Sequence, residues 1–224
     1  MHKLFSNFEE DEIVVTGDGT AYIVSIKAAI IKKNLRLFHN KGCASMGFDL
    51  PAAIGAWMAS KKDRIICITG DGSIMQNLQE LQTIIFYKMP VKIFLINNDG
   101  YHSIRQSQAN YFDGKEIGCG PSSGISFPDF LKTAESFGIE SHRVTNLDEL
   151  EQNMKDVFKH DRPTLTEIMT DKNQLFEPRL SSKRLDDGQI ISLPLEEMAP
   201  FLPEEEFEGN MIINIWNKEE EKDE

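Results

Sequence analysis

Two short apolar runs separated by a helix-length segment most constrain the fold of this chain. They are RIICITG at residues 64–70 and VKIFLINN at residues 91–98. Both are rich in β-branched residues and carry few charges, which is typical of strands covered on both faces of a sheet. Between them, apolar residues recur at three- and four-residue steps over 73–86, and this spacing predicts one amphipathic helix. The whole segment therefore indicates a β-α-β unit with parallel strands.

The rest of the chain continues this alternation of strands and helices. Weaker strand patterns occur at 35–40, 139–145 and 163–170. Helical patterns occur at 51–60, with Pro51 expected at the first helical position, at 128–137, and at 147–159, with Asn146 as its cap. The alternation predicts an α/β fold with a doubly wound, mostly parallel sheet and helices on both faces.

The pattern also predicts three regions along the chain. Residues 1–13 are expected to form a polar lead-in, and residues 14–170 the α/β domain. From residue 171 to 224, proline and charge are frequent and the periodicity is lost. We expect an extended C-terminal arm with short helical pieces there, followed by an acidic tail.

Charge and cysteine content exclude several classes of protein. The 224 residues carry a net charge of −12, which argues against binding to nucleic acid because phosphate recognition needs a basic face. The chain has no apolar run of about 18 residues and no secretory signal at its start, so we expect no membrane segment and a cytoplasmic protein. The three cysteines, Cys43, Cys67 and Cys119, are far apart, which fits a reducing compartment.

Polar side chains follow both of the strongest predicted strands, at the point where each strand ends. The first runs into Gly70-Asp71-Gly72-Ser73, and the second runs into Asn97-Asn98-Asp99-Gly100. In a parallel sheet these two ends meet at one edge, where ligands bind. A carboxylate, an amide oxygen and a backbone carbonyl suit a hard cation such as Mg²⁺, which commonly binds substrate phosphates as well.

The glycines beside Asp71 add a possible phosphate site. Gly72 and Ser73 open the next helix, where free N–H groups attract anions, and glycine lets the backbone approach a phosphate closely. The motifs thus predict a diphosphate held through a divalent metal. Two alternatives remain open: an ordinary tight turn and loop start, and a Mg²⁺-dependent nucleotide-binding domain that takes ATP.

The two motifs at this spacing resemble the thiamine diphosphate motif. The segment ASMGFDLPAAIGA at 44–56 resembles the one that precedes this motif in enzymes like acetolactate synthase and pyruvate decarboxylase, and VVTGDGTAY at 14–22 resembles their first diphosphate-binding turn. The resemblance covers about residues 14–170. It implies thiamine diphosphate and Mg²⁺ as cofactors, with metal ligands from Asp71, Asn98 and Gly100, and cofactor contacts from Gly19, Thr20, Ala44, Met46, Gly70, Gly72 and Ser73.

The resemblance also implies an activity and a partner. The family acts on 2-oxo acids such as pyruvate, and an acetolactate synthase-like transferase or lyase would join the resulting unit to a carbonyl acceptor. In this family an activating glutamate comes from a pyrimidine-binding domain, for which the chain has no room before its first motif. We therefore expect an incomplete enzyme in a homo- or hetero-oligomer. Alternatives are one subunit of a two-chain 2-oxo acid decarboxylase and a non-catalytic cofactor-binding or assembly module.

The segment 100–112 should run over the mouth of the site and supply catalytic side chains. An unperturbed histidine has a pKa suited to moving protons, so His102 could shuttle them, and Arg105 could bind a substrate carboxylate or a sugar-nucleotide phosphate. The alternatives are a helix-capping or solvent-facing histidine and a surface ion pair. Residues 177–202 resemble an arm of relatives associated with surface-polysaccharide sugars, which suggests that context for the reaction.

Overall fold

A computed structural model of the chain describes residues 1–184 and 188–213. The chain divides into two units, one spanning Met1–Gln174 and a second beginning at Leu175. The first unit contains one six-stranded sheet in the order β2-β1-β3-β4-β6-β5, and every neighbouring pair is parallel. Its strands are β1 Ile13–Thr16, β2 Arg36–Phe38, β3 Ile65–Gly70, β4 Val91–Asn97, β5 Glu140–Val144 and β6 Thr164–Met169.

Helices connect these strands and cover the sheet. They are α1 His2–Asn7, α2 Thr20–Ala28, α3 Asp49–Ser60, α4 Asp71–Ile74, α5 Glu80–Phe86, α6 His102–Tyr111, α7 Phe130–Ser136 and α8 Leu147–Val157, with a 3₁₀ turn at Pro121–Ser123. The cap predicted for α8 is confirmed, since the Asn146 side chain accepts from the Glu149 N–H at 2.9 Å. Pro51 is the third residue of α3 rather than the first, still within the turn that tolerates proline.

Two hydrophobic clusters lie on opposite faces of the sheet, as the alternation of strand side chains requires. In β3, Ile65 and Cys67 belong to the cluster that contains residues of α3, α5 and α7. Ile66 and Ile68 belong to the other cluster, with residues of α1, α2 and α8. The doubly wound α/β fold with helices on both faces is confirmed.

The polar lead-in expected at residues 1–13 is wrong in part. The segment begins with helix α1, and the side chains of Leu4, Phe5 and Phe8 are buried in the second cluster. The Phe8 ring lies 6.4 Å from the ring of Phe94 on β4. Met1, Leu4, Phe5 and Phe8 follow the i, i+3, i+4, i+7 spacing of an amphipathic helix, and this short signal was overlooked among the polar residues around it.

The single helix expected over 73–86 is interrupted. Helix α4 ends at Ile74, turns follow, and α5 begins at Glu80. The turns bring Asn77 against the segment before α3, where its side-chain amide donates to the Gly47 carbonyl at 2.7 Å. A Cβ on Gly47 would lie 2.6 Å from the Gln76 Cβ, so this approach depends on glycine. The tertiary contact outweighs the helical periodicity.

The sheet order places a topological switch between β1 and β3. From β1 the chain moves outward to β2, then returns to add β3 on the other side of β1. Loops that leave the carboxyl ends of strands at such a switch diverge and form a crevice, the usual ligand site of this architecture. The GDGS segment therefore begins at the edge of that crevice.

The second unit contains two short antiparallel ladders and a helix. The strands are β7 Arg179–Leu180, β8 Ser182–Arg184, β9 Ile190–Ser192 and β10 Met198–Ala199, and the helix is α9 Glu204–Asn210. β7 pairs with β10, and β8 pairs with β9. The strands were not expected from the sequence; the acidic tail from residue 214 lies outside the described residues. None of the helices in the described part of the chain combines the length and apolar character that a bilayer crossing requires.

Candidate active site

The Asp71 carboxylate joins the ends of β3 and β4. Its Oδ2 accepts from the N–H of Gly100 at 3.0 Å and from the N–H of Asn98 at 3.2 Å, while its Oδ1 accepts from the Gly72 N–H at 2.7 Å. The two predicted polar loops therefore lie side by side, and the carboxylate orders one against the other.

Burial raises the pKa of Asp71 to about 6, even though three backbone N–H groups that favour the ionised form surround it. The carboxylate is only 3% exposed, so water stabilises its charge little. A cation bound beside it would restore the lost stabilisation and lower this pKa. The electrostatics of the site thus favour a bound cation.

The Asn98 side chain supplies a second oxygen. Its Nδ2 donates to the Thr20 Oγ1 at 2.7 Å, which fixes the amide so that Oδ1 faces the other way. Oδ1 is fully buried and accepts no hydrogen bond from the described residues. Because buried polar atoms in proteins are almost always paired, this free acceptor fits a hard cation.

Gly100 is the third expected ligand, through its carbonyl. Its φ of 138° lies in the region that favours glycine, and a Cβ would lie 2.1 Å from the Cys119 carbonyl oxygen. The Gly100 carbonyl accepts from the His102 N–H at 3.1 Å, and a carbonyl oxygen has a second lone pair for another partner. The backbone is therefore held tightly at this point.

A cavity of about 210 Å³ opens beside these groups. It contains most of the residues expected to touch a cofactor, a metal or a substrate. Its lining includes Gly19, Thr20, Met46, Gly70, Asp71, Gly72, Ser73, Asn98, Gly100 and His102, together with Asp18, Ile96, Tyr101, Ser103 and Ile104. Residues that are far apart in sequence thus meet in one concave site at the switch point.

Comparison with known proteins identifies the family. The family described as "Thiamine pyrophosphate enzyme, C-terminal TPP binding domain" matches residues 18–168. This chain belongs to the thiamine pyrophosphate enzymes. The match includes every residue that lines the cavity, and it confirms the resemblance on which the cofactor expectation depends.

Curated relatives of this thiamine pyrophosphate enzyme domain include acetolactate synthase large subunits. That of Porphyra purpurea is 36% identical over 161 residues, which is 72% of this chain and 27% of the relative. Isozyme 2 of Escherichia coli K12 is 36% identical over 133 residues, which is 59% of this chain and 24% of the relative. The chain therefore spans about a quarter of the length of these relatives.

A solved structure gives the same result for the fold. The thiamine diphosphate-dependent 4-hydroxybenzoylformate decarboxylase of Rhodococcus jostii RHA1 matches with a TM-score of 0.67 and 26% identity. The match covers 78% of this chain and 32% of that one. The two chains thus share their fold over most of the length of this one.

In the thiamine pyrophosphate domain, Ala44 differs in position from the expectation, and Gly72 makes a contact that was not expected. Ala44 is exposed and lines a separate small pocket with Gly17 and Tyr22, not the main cavity. Gly72 makes room for an aromatic ring, because a Cβ there would lie 2.2 Å from the Tyr101 ring. The sequence assigned this glycine only to phosphate approach.

The Ser73 hydroxyl is engaged by protein groups. It accepts from the Gly47 N–H at 3.0 Å and bonds to the Asp49 carboxyl. Because the hydroxyl is engaged in this way, only the backbone of Ser73 remains to contact a ligand. The hydroxyl holds the segment before α3, which contains Met46, against the end of β3.

Asp49 is a functional candidate that sequence reasoning missed. Its carboxyl is fully buried and accepts from the Thr69 hydroxyl and from the Leu50 N–H at 2.9 Å. Burial raises the pKa of this carboxyl. The signal in the sequence is an acidic residue inside the apolar segment at 44–56.

The two expected catalytic side chains separate in the structure. His102, at the start of α6, lines the cavity and is 5% exposed. Arg105 does not line it; its guanidinium donates to the Asp99 carbonyl at 2.7 Å and lies 3.6 Å from Glu116. The catalytic roles of His102 and Arg105 both stay predictions.

Proposed function

We propose that this chain is the diphosphate-binding part of an acetolactate synthase-like enzyme that uses thiamine diphosphate and Mg²⁺. The observation that carries the proposal lies at the ends of two adjacent strands, where Asp71 binds the Asn98 N–H and the buried Asn98 Oδ1 accepts no hydrogen bond from any described residue. A carboxylate and a free amide oxygen within one loop pair form a donor set suited to Mg²⁺.

Each residue of the site has a proposed part in this function. Asp71, the Asn98 Oδ1 and the Gly100 carbonyl would hold Mg²⁺, and the backbones of Gly19 and Gly72 would face the diphosphate. Met46, 39% exposed beside the cavity, would support the cofactor through apolar contact. When bound, thiamine diphosphate supplies a carbon nucleophile and an electron sink.

His102 would act on the substrate in the same cavity. A histidine titrates in the physiological pH range, so it can hold or release a proton at one ring nitrogen. We propose that it exchanges that proton with the substrate or product oxygen. The buried environment of its side chain would exclude water from that transfer.

The reaction proposed is decarboxylation of a 2-oxo acid such as pyruvate, followed by carbon–carbon bond formation with a carbonyl acceptor. The names of the acetolactate synthase relatives support it. A subunit of a two-chain 2-oxo acid decarboxylase is the second candidate, favoured by the decarboxylase whose structure matches. A surface-polysaccharide role and a non-catalytic assembly role stay predictions from the sequence.

The site would need a second domain for turnover. The relatives that match are about four times longer than the shared segment, so a pyrimidine-binding domain in the same protein or in another subunit is proposed to complete the site. We therefore expect binding without turnover from these 224 residues. Turnover should follow when the pyrimidine-binding partner is supplied.

Titration calorimetry tests the binding function. The chain should bind thiamine diphosphate with Mg²⁺ and lose most of this affinity when the metal is chelated. Asp71→Asn should abolish the Mg²⁺-dependent part, whereas Asp63→Asn, an exposed aspartate before the start of β3, should not. Binding of Mg-ATP in place of thiamine diphosphate would overturn the proposal and favour a nucleotide-binding domain.

Product analysis then separates the two candidate reactions. With the pyrimidine-binding partner present, pyruvate and a carbonyl acceptor should give a product with a new carbon–carbon bond. Release of free aldehyde as the sole product, at every acceptor concentration, would assign the decarboxylase instead. The two outcomes are distinguished by mass spectrometry of the reaction mixture with isotopically labelled pyruvate.

A further inference from the structure

The guanidinium of Arg105 is surrounded by backbone carbonyls behind the metal-binding loop. Its Nη2 donates to the Asp99 carbonyl at 2.7 Å, and its Nη1 lies 3.4 Å from the Asn98 carbonyl and 3.1 Å from the Lys172 carbonyl. A further carbonyl, of Cys119, lies 3.5 Å from Nη2. One side chain thus contacts the metal loop, the loop after α6 and the segment after β6.

Two glycines make room for this guanidinium. A Cβ added to Gly100 would lie 2.8 Å from Arg105 Nη2, and a Cβ added to Gly120 would lie 2.9 Å from it. Gly120 has a φ of −170°, an extended conformation open to any residue, so its backbone does not require glycine. The need for glycine at that position comes from the arginine.

The contacts lie on the side of the loop opposite to Asp71. The amide groups of Asn98 and Gly100 donate to the Asp71 carboxylate, while the carbonyls of Asn98 and Asp99 face Arg105. The loop is therefore held from both sides, by a carboxylate on its N–H groups and by a cation on its carbonyls. A planar guanidinium has five N–H donors in a fixed fork, against three on an ammonium group, and so suits carbonyls that lie on several segments.

We infer that Arg105 is a positioning residue: by holding the Asn98 and Asp99 carbonyls, it fixes the loop in the geometry that presents the Asn98 Oδ1 and the Gly100 carbonyl to a divalent metal. This inference rests on the proposed function for the identity of the metal. The arginine touches neither the substrate nor the metal; it acts through the backbone of the loop.

Hydrogen exchange in the metal-free chain tests the inference without any ligand. Arg105→Met keeps an unbranched side chain about as long as the stem of arginine and removes the guanidinium with all its donors. The amides of Asn98 and Gly100 should exchange at least about tenfold faster, since their bonds to Asp71 open with the loop. Arg162→Met, which removes an exposed arginine paired with Glu140, is the matched control and should leave both rates unchanged.

Metal affinity gives the second measurement. At saturating thiamine diphosphate, Arg105→Met should raise the Mg²⁺ concentration for half-maximal binding by about 10–100-fold, the usual effect of losing a group that orients metal ligands. Excess Mg²⁺ should restore full binding. Arg105→Lys should recover only part of the affinity, because it keeps the charge and loses the planar set of donors.

Gly120→Ala provides a test that leaves Arg105 in place. The new Cβ should displace the guanidinium and weaken Mg²⁺ binding in the wild-type background. In the Arg105→Met background the same change should have a much smaller effect, since Asp99 O at 3.3 Å is then the main group it approaches. A double-mutant cycle therefore measures the coupling directly, and if Arg105→Met folds poorly, Gly120→Ala alone still tests whether displacing the guanidinium weakens Mg²⁺ binding.

The outcomes separate this inference from the proposed function. Unchanged exchange at Asn98 and Gly100 in Arg105→Met, or unchanged Mg²⁺ affinity while the wild type binds normally, would overturn the positioning role alone. Lower thermal stability with equal Mg²⁺ affinity would show a structural role and also overturn it. If the wild type binds no Mg²⁺ with thiamine diphosphate, the proposed function fails, whatever the exchange rates.

Discussion

Replacing Asp71 with asparagine should change the pH dependence of stability in the metal-free chain. Burial raises the pKa of this carboxyl from 3.8 to about 6 in the folded state. Between these values the folded chain holds a proton that the unfolded chain has lost, so stability falls as pH rises through this window. Above about pH 6 the chain has lost the full amount of stability, and below the ordinary aspartate pKa of 3.8 it has lost none.

The size of the effect follows from the shift. A shift from 3.8 to about 6 corresponds to about 3 kcal/mol of lost stability at pH 8, and about 1.4 kcal/mol of it develops between pH 5 and pH 8. Asparagine does not ionise, so Asp71→Asn should remove this dependence. The NH₂ group of the new asparagine would face one backbone N–H, so two donors would meet and the variant would lose about 1 kcal/mol of stability. This loss is the same at every pH and therefore cancels from the difference between two pH values.

Urea unfolding at pH 5 and pH 8 measures this quantity. Other buried carboxyls with raised pKa, at Glu12 and Asp49, affect both proteins equally and cancel from the comparison. From pH 5 to pH 8, the free energy of unfolding of the wild type should fall by about 1.4 kcal/mol more than that of Asp71→Asn. An equal pH dependence in the two proteins would refute the reasoning that burial controls Asp71. Mg²⁺ with thiamine diphosphate should stabilise the wild type at pH 8 and leave the variant unchanged.

Three further predictions concern the core and the cavity. Phe8→Ala should lower the free energy of unfolding by about 3–5 kcal/mol in urea, because the ring is fully buried, whereas Phe112→Ala, at a 63% exposed ring, should change it little. Thr20→Val removes the acceptor that orients the Asn98 amide and should weaken Mg²⁺ binding by about tenfold in calorimetry, with little change in melting temperature. Gly72→Ala places a methyl group against an aromatic ring and should cost about 1–3 kcal/mol of stability, and a neutral result would show that the ring is free to move.

The features that the sequence could predict depend on local signals. β3 and β4 are recognisable because each is a continuous apolar run, and the helix cap at Asn146 is recognisable because the capping bond spans three residues. Asp71 and Asn98 could be placed together because strand topology brings the ends of parallel neighbours to one edge. Helix α1 also has a local signal, the helical spacing of its apolar residues, which was missed because the segment is short and mostly polar. The break before α5 was not predictable in this way, since it depends on packing against a distant segment.

The groups that support the site were missed for the same reason. Asp49 bonds to Thr69 and Ser73, both at least 20 residues away, and no spacing rule connects them. Arg105 was expected to bind substrate because its segment follows the metal motif and a guanidinium binds carboxylates and phosphates; the carbonyls that it contacts lie on three separate segments, which the sequence does not connect. The residues proposed to bind the metal belong to a recognisable sequence motif, whereas the side chains that orient them can be identified only from the tertiary structure.

The two asparagines at the end of β4 illustrate this division between ligand and support. Asn98 directs its free oxygen to the proposed metal site, while Asn97 is bound from both sides: its Nδ2 donates to Glu167 at 2.7 Å, and its Oδ1 accepts from the Asp99 N–H at 3.0 Å. Glu167 is buried on β6 and also binds Arg143 of β5 at 2.6 Å. The outer strands of the sheet therefore fix the first asparagine, and because its Oδ1 also binds the Asp99 N–H, the backbone on both sides of the second asparagine is tied to the same anchor.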